Sequence, residues 1–250
     1  MPASIVLGQE NLWNSSLNPA GPVNGSNLGG GSYAMTFDAH GDLWVTDWYG
    51  NRVVEYVPPF VDGMSVSLVL GQSNFSGTSG ESAAAQLNEP DGLAFDSQGN
   101  LWVSDYGNNR VVEFRAPFSD GEAASVVLGQ PGFNRSVGRT SATTMNGPGG
   151  LVFDGSTLWV SDYSSNRVIG FPAPQTTGEA ATIVLGQQNL ADFGAATSAV
   201  NLSQPDYVAV DAHGNLWVAD YGNNRAVMFP APLSTGEAAT VEVGQANFTT

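Results

Sequence analysis

The sequence contains no cysteine, and its seven basic residues are all arginine. Lacking cysteine, it can form no disulfide and use no thiol nucleophile. Lacking lysine, it has no dense cationic surface of the kind that displaces counterions from a phosphate backbone. Against the seven arginines stand 23 acidic residues, for a net charge of −16. Such a surface repels nucleic acid and anionic membrane. No apolar run approaches the ~20 residues that span a bilayer. Histidine occurs only at His40 and His213. The first residues, Met1-Pro2-Ala3, show no basic segment leading into an apolar one, so no secretion signal is visible there.

What the chain does have is a repeat. Leu-Trp-Val begins at Leu43, Leu101, Leu158 and Leu216, at intervals of 58, 57 and 58 residues. Each copy is followed by an aspartate and then an arginine at fixed spacing: Asp47/Arg52, Asp105/Arg110, Asp162/Arg167 and Asp220/Arg225. Gly-Glu-Ala-Ala recurs from Gly121, Gly178 and Gly236. The second unit predicts four strands: Gly92 to Asp96, Leu101 to Asp105, Arg110 to Phe114 and Ser125 to Gly129. They are short β-branched and aromatic runs of period two, bounded by turn residues. No segment has a helical period. Four-stranded units repeated around an axis make an all-β propeller. We place the repeats at roughly 5–65, 66–124, 125–181 and 182–239, with a C-terminal strand at 240–250, in one domain.

The run from Pro90 to Val111, proline through GLAFD, GNLWVSD and NNRV, resembles the NHL repeat. It recurs with substitutions at Pro148 to Val168 and Pro205 to Val227, and without its leading proline at Tyr33 to Val53. The V-L-G-Q element is similar to that of a prokaryotic subset of such proteins. The resemblance implies a propeller of four NHL-type blades, each of about four antiparallel strands. It implies little about activity, because propellers host many.

Strand order places the loops. The Asp-to-Arg loops and the long loops after V-L-G-Q should share one face, and the Gly-Asn turns and Gly-Glu-Ala-Ala linkers the other. One count is uneven. The first three strands occur four times, but the V-L-G-Q strand five times, the first at Ser4 to Gly8. Three arrangements follow: a closed ring with a displaced terminal strand, a piece of a longer array, or a spare strand that pairs with another subunit.

Candidate site residues follow from the repeat. The Asp/Arg pairs suit a structural brace across each corner, since an asymmetric substrate seldom needs four equal carboxylates. Trp44, Trp102, Trp159 and Trp217 suit packing between blades. Trp48, Tyr106, Tyr163 and Tyr221 follow the strand aspartates on the long-loop face, where aromatic rings stack on sugars or anchor a partner. Asp91 and Asp206 precede inner strands at the channel mouth, where carboxylates could hold a hard cation such as calcium. No other cofactor is expected. Where NHL-like propellers are lyases or hydrolases, the resemblance implies histidine-bound metal at the axis. His40 and His213 lie instead in turns of the opposite face.

The expectation is a non-catalytic binding or scaffold propeller, extracellular or at the cell surface, self-associating through the extra edge strand. Its partner is a protein, a glycan or another copy of itself. The alternative is a propeller enzyme of lyase or hydrolase type, with a carboxylate or metal site at the channel. Six Asn-x-Ser/Thr sequons, at Asn14, Asn24, Asn74, Asn134, Asn201 and Asn247, each follow a V-L-G-Q strand. Peptide mapping of native material should find glycan on them; bare asparagine at every site would remove the glycoprotein expectation.

Overall fold

The computed structural model describes residues 3–9 and 23–249. It contains four antiparallel sheets of four strands each, in simple up-and-down order. Blade 1 is β1 (Met35–Phe37), β2 (Leu43–Asp47), β3 (Arg52–Tyr56) and β4 (Leu68–Leu70). Blade 2 is β5 (Pro90–Phe95), β6 (Leu101–Asp105), β7 (Arg110–Phe114) and β8 (Val126–Leu128). Blade 3 is β9 (Pro148–Asp154), β10 (Thr157–Asp162), β11 (Arg167–Pro172) and β12 (Ile183–Leu185). Blade 4 is β13 (Pro205–Val210), β14 (Leu216–Asp220), β15 (Arg225–Phe229) and β16 (Val241–Val243).

Local chemistry explains the strand ends. In the turn between β5 and β6, the Asp96 carboxylate accepts the backbone N–H groups of Gln98 and Asn100, at 2.8 and 2.9 Å. Gly99 takes a φ of +82°, open to glycine at little cost. The other Asp96 oxygen accepts the Trp102 indole N–H at 3.3 Å, so the turn also orients the tryptophan. Asp38 and Asp211 do the same for Trp44 and Trp217. Blade 3 has a shorter turn at Gly155-Ser156, and the Trp159 indole nitrogen is left without a partner.

The opposite strand ends are joined by the Asp/Arg pairs. Arg110 donates Nε to Asp105 Oδ2 at 2.6 Å, with both side chains fully buried. Its remaining N–H groups reach the carbonyls of Ser82, Ala83 and Gln86 in the loop before blade 2 and of Phe133 in the loop after it. Arg52, Arg167 and Arg225 repeat this, with Nε to carboxylate distances of 2.8, 2.8 and 2.7 Å. Each guanidinium therefore ties two successive long loops to one blade corner. The V-L-G-Q glutamine adds a second clamp: Gln130 Nε2 donates to Asn109 O and Val137 O, at 2.9 and 3.0 Å. Asn109 sits at φ +54°, and its side-chain oxygen accepts the N–H of Gly147 in the next loop. The long loops consequently lie on the Asp-to-Arg face.

Three apolar clusters fill the spaces between blades. Trp44, Val53 and Leu70 pack against Leu93, Leu101, Val103 and Phe114 of blade 2. Trp102 and Leu128 meet blade 3 in the same way, and Trp159 and Leu185 meet blade 4. A fourth cluster covers the other side of blade 1, where Leu7 and Leu28 lie on Val45, Val54, Tyr56 and Val69. Among the described residues no such cluster joins blade 4 to blade 1. The ring is open there, and among the described residues one hydrogen bond bridges it, from the Tyr207 hydroxyl to Tyr33 O at 2.8 Å. Ser4 to Gly8 forms no strand, and its place is against blade 1.

Burial of the repeated tryptophans follows their neighbours: Trp102 is 1% exposed, whereas Trp217 is only half-buried. Trp102→Ala should cost about 3–5 kcal/mol and Trp217→Ala clearly less. Urea unfolding of the two variants measures this, and equal losses would show that blade 4 is covered after all.

Candidate functional site

The long-loop face collects the aromatic residues singled out above. A three-residue 3-10 turn follows the strand aspartate in blades 2, 3 and 4, starting at Tyr106, Tyr163 and Tyr221. These turns lift the tyrosines onto the rim. Tyr33 and Trp48 lie 4.8 Å apart between ring centroids, Trp48 and Tyr106 5.1 Å, and Tyr163 and Tyr221 6.3 Å. Within that range aromatic pairs attract one another. The result is an aromatic arc in two segments, Tyr33–Trp48–Tyr106 over blades 1 and 2 and Tyr163–Tyr221 over blades 3 and 4, with Tyr33 and Tyr221 more than half exposed. Burial raises the pKa of Tyr106 and of Tyr163, and neighbouring carboxylates and phenols add to the rise.

Asp91 and Asp206 lie on the inner strands, where the pairing register slips. The slips fall between Pro90 and Leu93 and between Pro205 and Val208. Such a bulge re-aims side chains. Asp91 is 5% exposed, and its Oδ1 lies 2.8 Å from the Tyr207 hydroxyl, whose one proton is shared between this carboxylate and Tyr33 O. Burial pushes the Asp91 carboxyl up to about 6; the Tyr207 hydrogen bond opposes the rise and Asp206 adds to it. Burial also raises Asp206 and, more strongly, the Tyr207 phenol. Gly92 and Gly149 make the crowding possible, since a Cβ on Gly92 would meet Gly149 O at 2.4 Å. Asp91 and Asp206 are the carboxylates with which a cation at this mouth would have to bond.

The structure separates other residues from this face. His40 and His213 stand in exposed turns at the opposite end of the blades, within 3.7 and 3.9 Å of Asp38 and Asp211. Among the described residues, Asp38, His40 and Asp42 form a group with metal-ligand spacing, but Asp38 is already engaged by its own turn. Sequons Asn74, Asn134 and Asn247 are exposed, Asn24 and Asn201 are half-buried, and Asn14 lies outside the described residues. A hollow of about 500 Å³ opens on the turn face, lined by Asn100, Glu113, Arg115, Phe153 and Gln175. It exists because Gln175 stands where blade 2 has Phe118, which covers Trp44 at 4.8 Å.

Sequence reasoning missed Tyr33 and Tyr207. Neither sits at a repeated aromatic position, and their contact spans 174 residues. It also missed the glutamine clamps, although a glutamine in every V-L-G-Q copy was a visible signal.

Comparison with known proteins agrees with this architecture. The NHL repeat profile matches residues 87–114. A streptogramin B lyase structure is 14% identical, with a TM-score of 0.53 over 92% of this chain and 58% of the lyase. The periplasmic gluconolactonase of Pseudomonas aeruginosa is 16% identical, with a TM-score of 0.54 over 88% of this chain and 55% of that enzyme. A nidogen/laminin complex chain is 17% identical, with a TM-score of 0.52 over 87% of this chain and 70% of that one. The chain thus spans little more than half the length of the two enzymes. No curated protein sequence matches. The fold is that of a β-propeller, and at these identities the likeness extends to the fold alone. The NHL match falls on blade 2, whose Leu-Trp-Val, aspartate and arginine recur in the other three blades.

The raised Asp91 pKa has a definite sign. Between the ordinary value of 3.8 and about 6, the native state holds a proton that the unfolded chain has released. Stability therefore falls as pH rises through that window. Asp91→Asn keeps an acceptor for Tyr207 and removes the charge. It should stabilise the fold by about 1–3 kcal/mol at pH 7.5 and by nearly nothing at pH 4. Urea titrations at the two pH values test this, and an equal gain at both would contradict it.

Proposed function

We propose that this chain is a non-catalytic binding and scaffold propeller that takes a protein or glycan partner on its long-loop face. The observation that carries the reading is the aromatic arc of Tyr33, Trp48, Tyr106, Tyr163 and Tyr221 above the Asp91/Asp206 mouth. Amphipathic rings on a braced scaffold offer contact area at little entropic cost. The corner arginines hold the loops in place before any partner arrives. A cation such as calcium, held between Asp91 and Asp206, would relieve their mutual repulsion. The extracellular or cell-surface setting rests on composition and on the exposed sequons. Among the described residues no helix is long and apolar enough to cross a membrane.

One observation favours a second reading. Asp91 is a buried carboxyl raised to about 6 beside a tyrosine, which suits proton transfer at a channel mouth. Two structural neighbours are named as a lyase and a gluconolactonase. In that reading Asp91 is the acid or base, and its removal abolishes turnover.

Intrinsic fluorescence titrated with neutral oligosaccharides separates these readings. Saturable quenching is expected, reduced at least tenfold in affinity in a Trp48→Ala/Tyr106→Ala variant that keeps its fold. No signal from any sugar would leave the protein partner. Lactone hydrolysis lost in Asp91→Asn would replace binding by catalysis.

A further inference from the structure

The three interfaces between blades provide a template for the open ends. At each one, the middle residue of an outer strand is held by the linker of the next blade. Val69 N donates to Asp120 Oδ1 at 2.9 Å, and Gly121 N donates to Val69 O at 3.0 Å. Val127 is held by Thr177 and Gly178, and Val184 by Thr235 and Gly236. The same bonds occur once more at the start of the chain. Val6 N donates to Asp62 Oδ1 at 2.8 Å, and Gly63 N donates to Val6 O at 3.3 Å. Leu28 N donates to Gly8 O as Leu87 N does to Gly71 O. Leu7 packs on blade 1 as Leu70 packs on blade 2. Residues 5–7 therefore sit on blade 1 as the outer strand of one blade sits on the next.

The inner half of the same side of blade 1 is bare. Met35 is 66% exposed and Phe37 59%, whereas Leu93, Leu151 and Val208, equivalent to Met35, are 7–8% exposed. Blade 4 presents the complementary half: Trp217, Ala226 and Met228 are half-buried, and Val243 is 56% exposed. Its own outer strand fits poorly. Where the other blades bury Val69, Val127 and Val184, it holds Glu242, whose Oε1 is paired with Arg225 at 3.3 Å and whose Oε2 is buried and unpaired. Leaving a buried acceptor unpaired is unfavourable.

The geometry points to a second copy of this chain as the occupant of these faces: β13 to β15 of one copy dock on blade 1 of the next. Ile5-Val6-Leu7 of that next copy then pairs with β15 in place of Val241-Glu242-Val243. The exchange gives up the Glu242–Arg225 pair, puts an apolar strand where Oε2 is buried unpaired, and covers Met35, Phe37 and Trp217. It deepens the scaffold half of the reading above and is independent of any ligand on the long-loop face. Such a contact is heterologous, so copies add head to tail.

The register gives a direct test. Met228 pairs with Val241, so an exchanged Ile5 lies opposite Met228. An Ile5→Cys/Met228→Cys variant of this cysteine-free chain, oxidised at 100 μM, should form covalent multimers on a non-reducing gel. Light scattering of the unmodified chain should give multiples of 26.0 kDa. Met35→Glu, at an exposed position, should return it to a monomer with unchanged circular dichroism. A crosslink confined to the monomer would mean closure within one chain and overturn the proposal. So would a uniform 26.0 kDa mass, or multimers that survive Met35→Glu. Trp48→Ala/Tyr106→Ala should assemble normally, which separates this result from the fate of the ligand-binding reading.

Discussion

The buried arginine at each blade corner is the interaction on which the rest depends. Desolvating a guanidinium and a carboxylate together is costly, and their attraction repays it only when every remaining N–H is satisfied. Here the satisfaction comes from loop carbonyls. Arg110 bonds Asp105 and four carbonyls drawn from two loops. The charge pair and the loop conformation are therefore one cooperative unit. Either loop in another shape would leave donors stranded, and the pair without its loops would be a liability. Burial pushes the Asp105 carboxyl up to about 6, while Arg110 and the bonds from Asn108 and the Asn88 N–H pull the other way. Polar, glycine-rich loops that would otherwise wander become a fixed surface bearing the aromatic arc.

This arrangement also shapes the electrostatics. Four of the seven arginines are spent at corners, each neutralising a buried aspartate. Only Arg115, Arg135 and Arg139 remain to balance the other acidic residues, so the outer surface is more one-sided than the composition suggests. The faces left open at blades 1 and 4 escape this. Met35, Phe37, Trp217 and Val243 carry no charge, and salt screens the repulsion between the surrounding acidic surfaces. An apolar contact on an otherwise repulsive body favours one mode of association over many.

How much of this could be read in advance depends on whether a feature repeats. Strands, turns, Asp/Arg pairs and tryptophan positions recur four times, so a local pattern is supported by its copies. Residues that act once carry no such support. Tyr207 stands where blade 2 has Gly92 and blade 3 has Gly150; its significance comes from its reach to Tyr33 and Asp91 across the axis. Gln175 is equally silent in the sequence, because the hollow it leaves is visible only when Phe118 is seen covering Trp44. The uneven strand count was legible, but its consequence was not, since the bonds of Val6 to Asp62 and Gly63 join positions 56 and 57 residues apart.

Trp44 and Trp217 state the underlying rule. They occupy the same place in the same repeat, and each has its indole N–H on the aspartate of its own turn. One is fully buried and the other is not. The local sequence sets the rotamer and the hydrogen bond, whereas burial is set by the blade beyond. In a propeller each unit completes its neighbour, and blades 1 and 4 here each expose one half of such an interface. The halves are complementary because they derive from the same repeat. Residues 5–7 make the point sharpest: they already hold, on blade 1, the position of a neighbour's outer strand. What such a strand still lacks is a third strand beside it, and among the described residues β15 is the one whose present partner buries an unpaired carboxylate oxygen, Glu242 Oε2, beside the oxygen that pairs with Arg225.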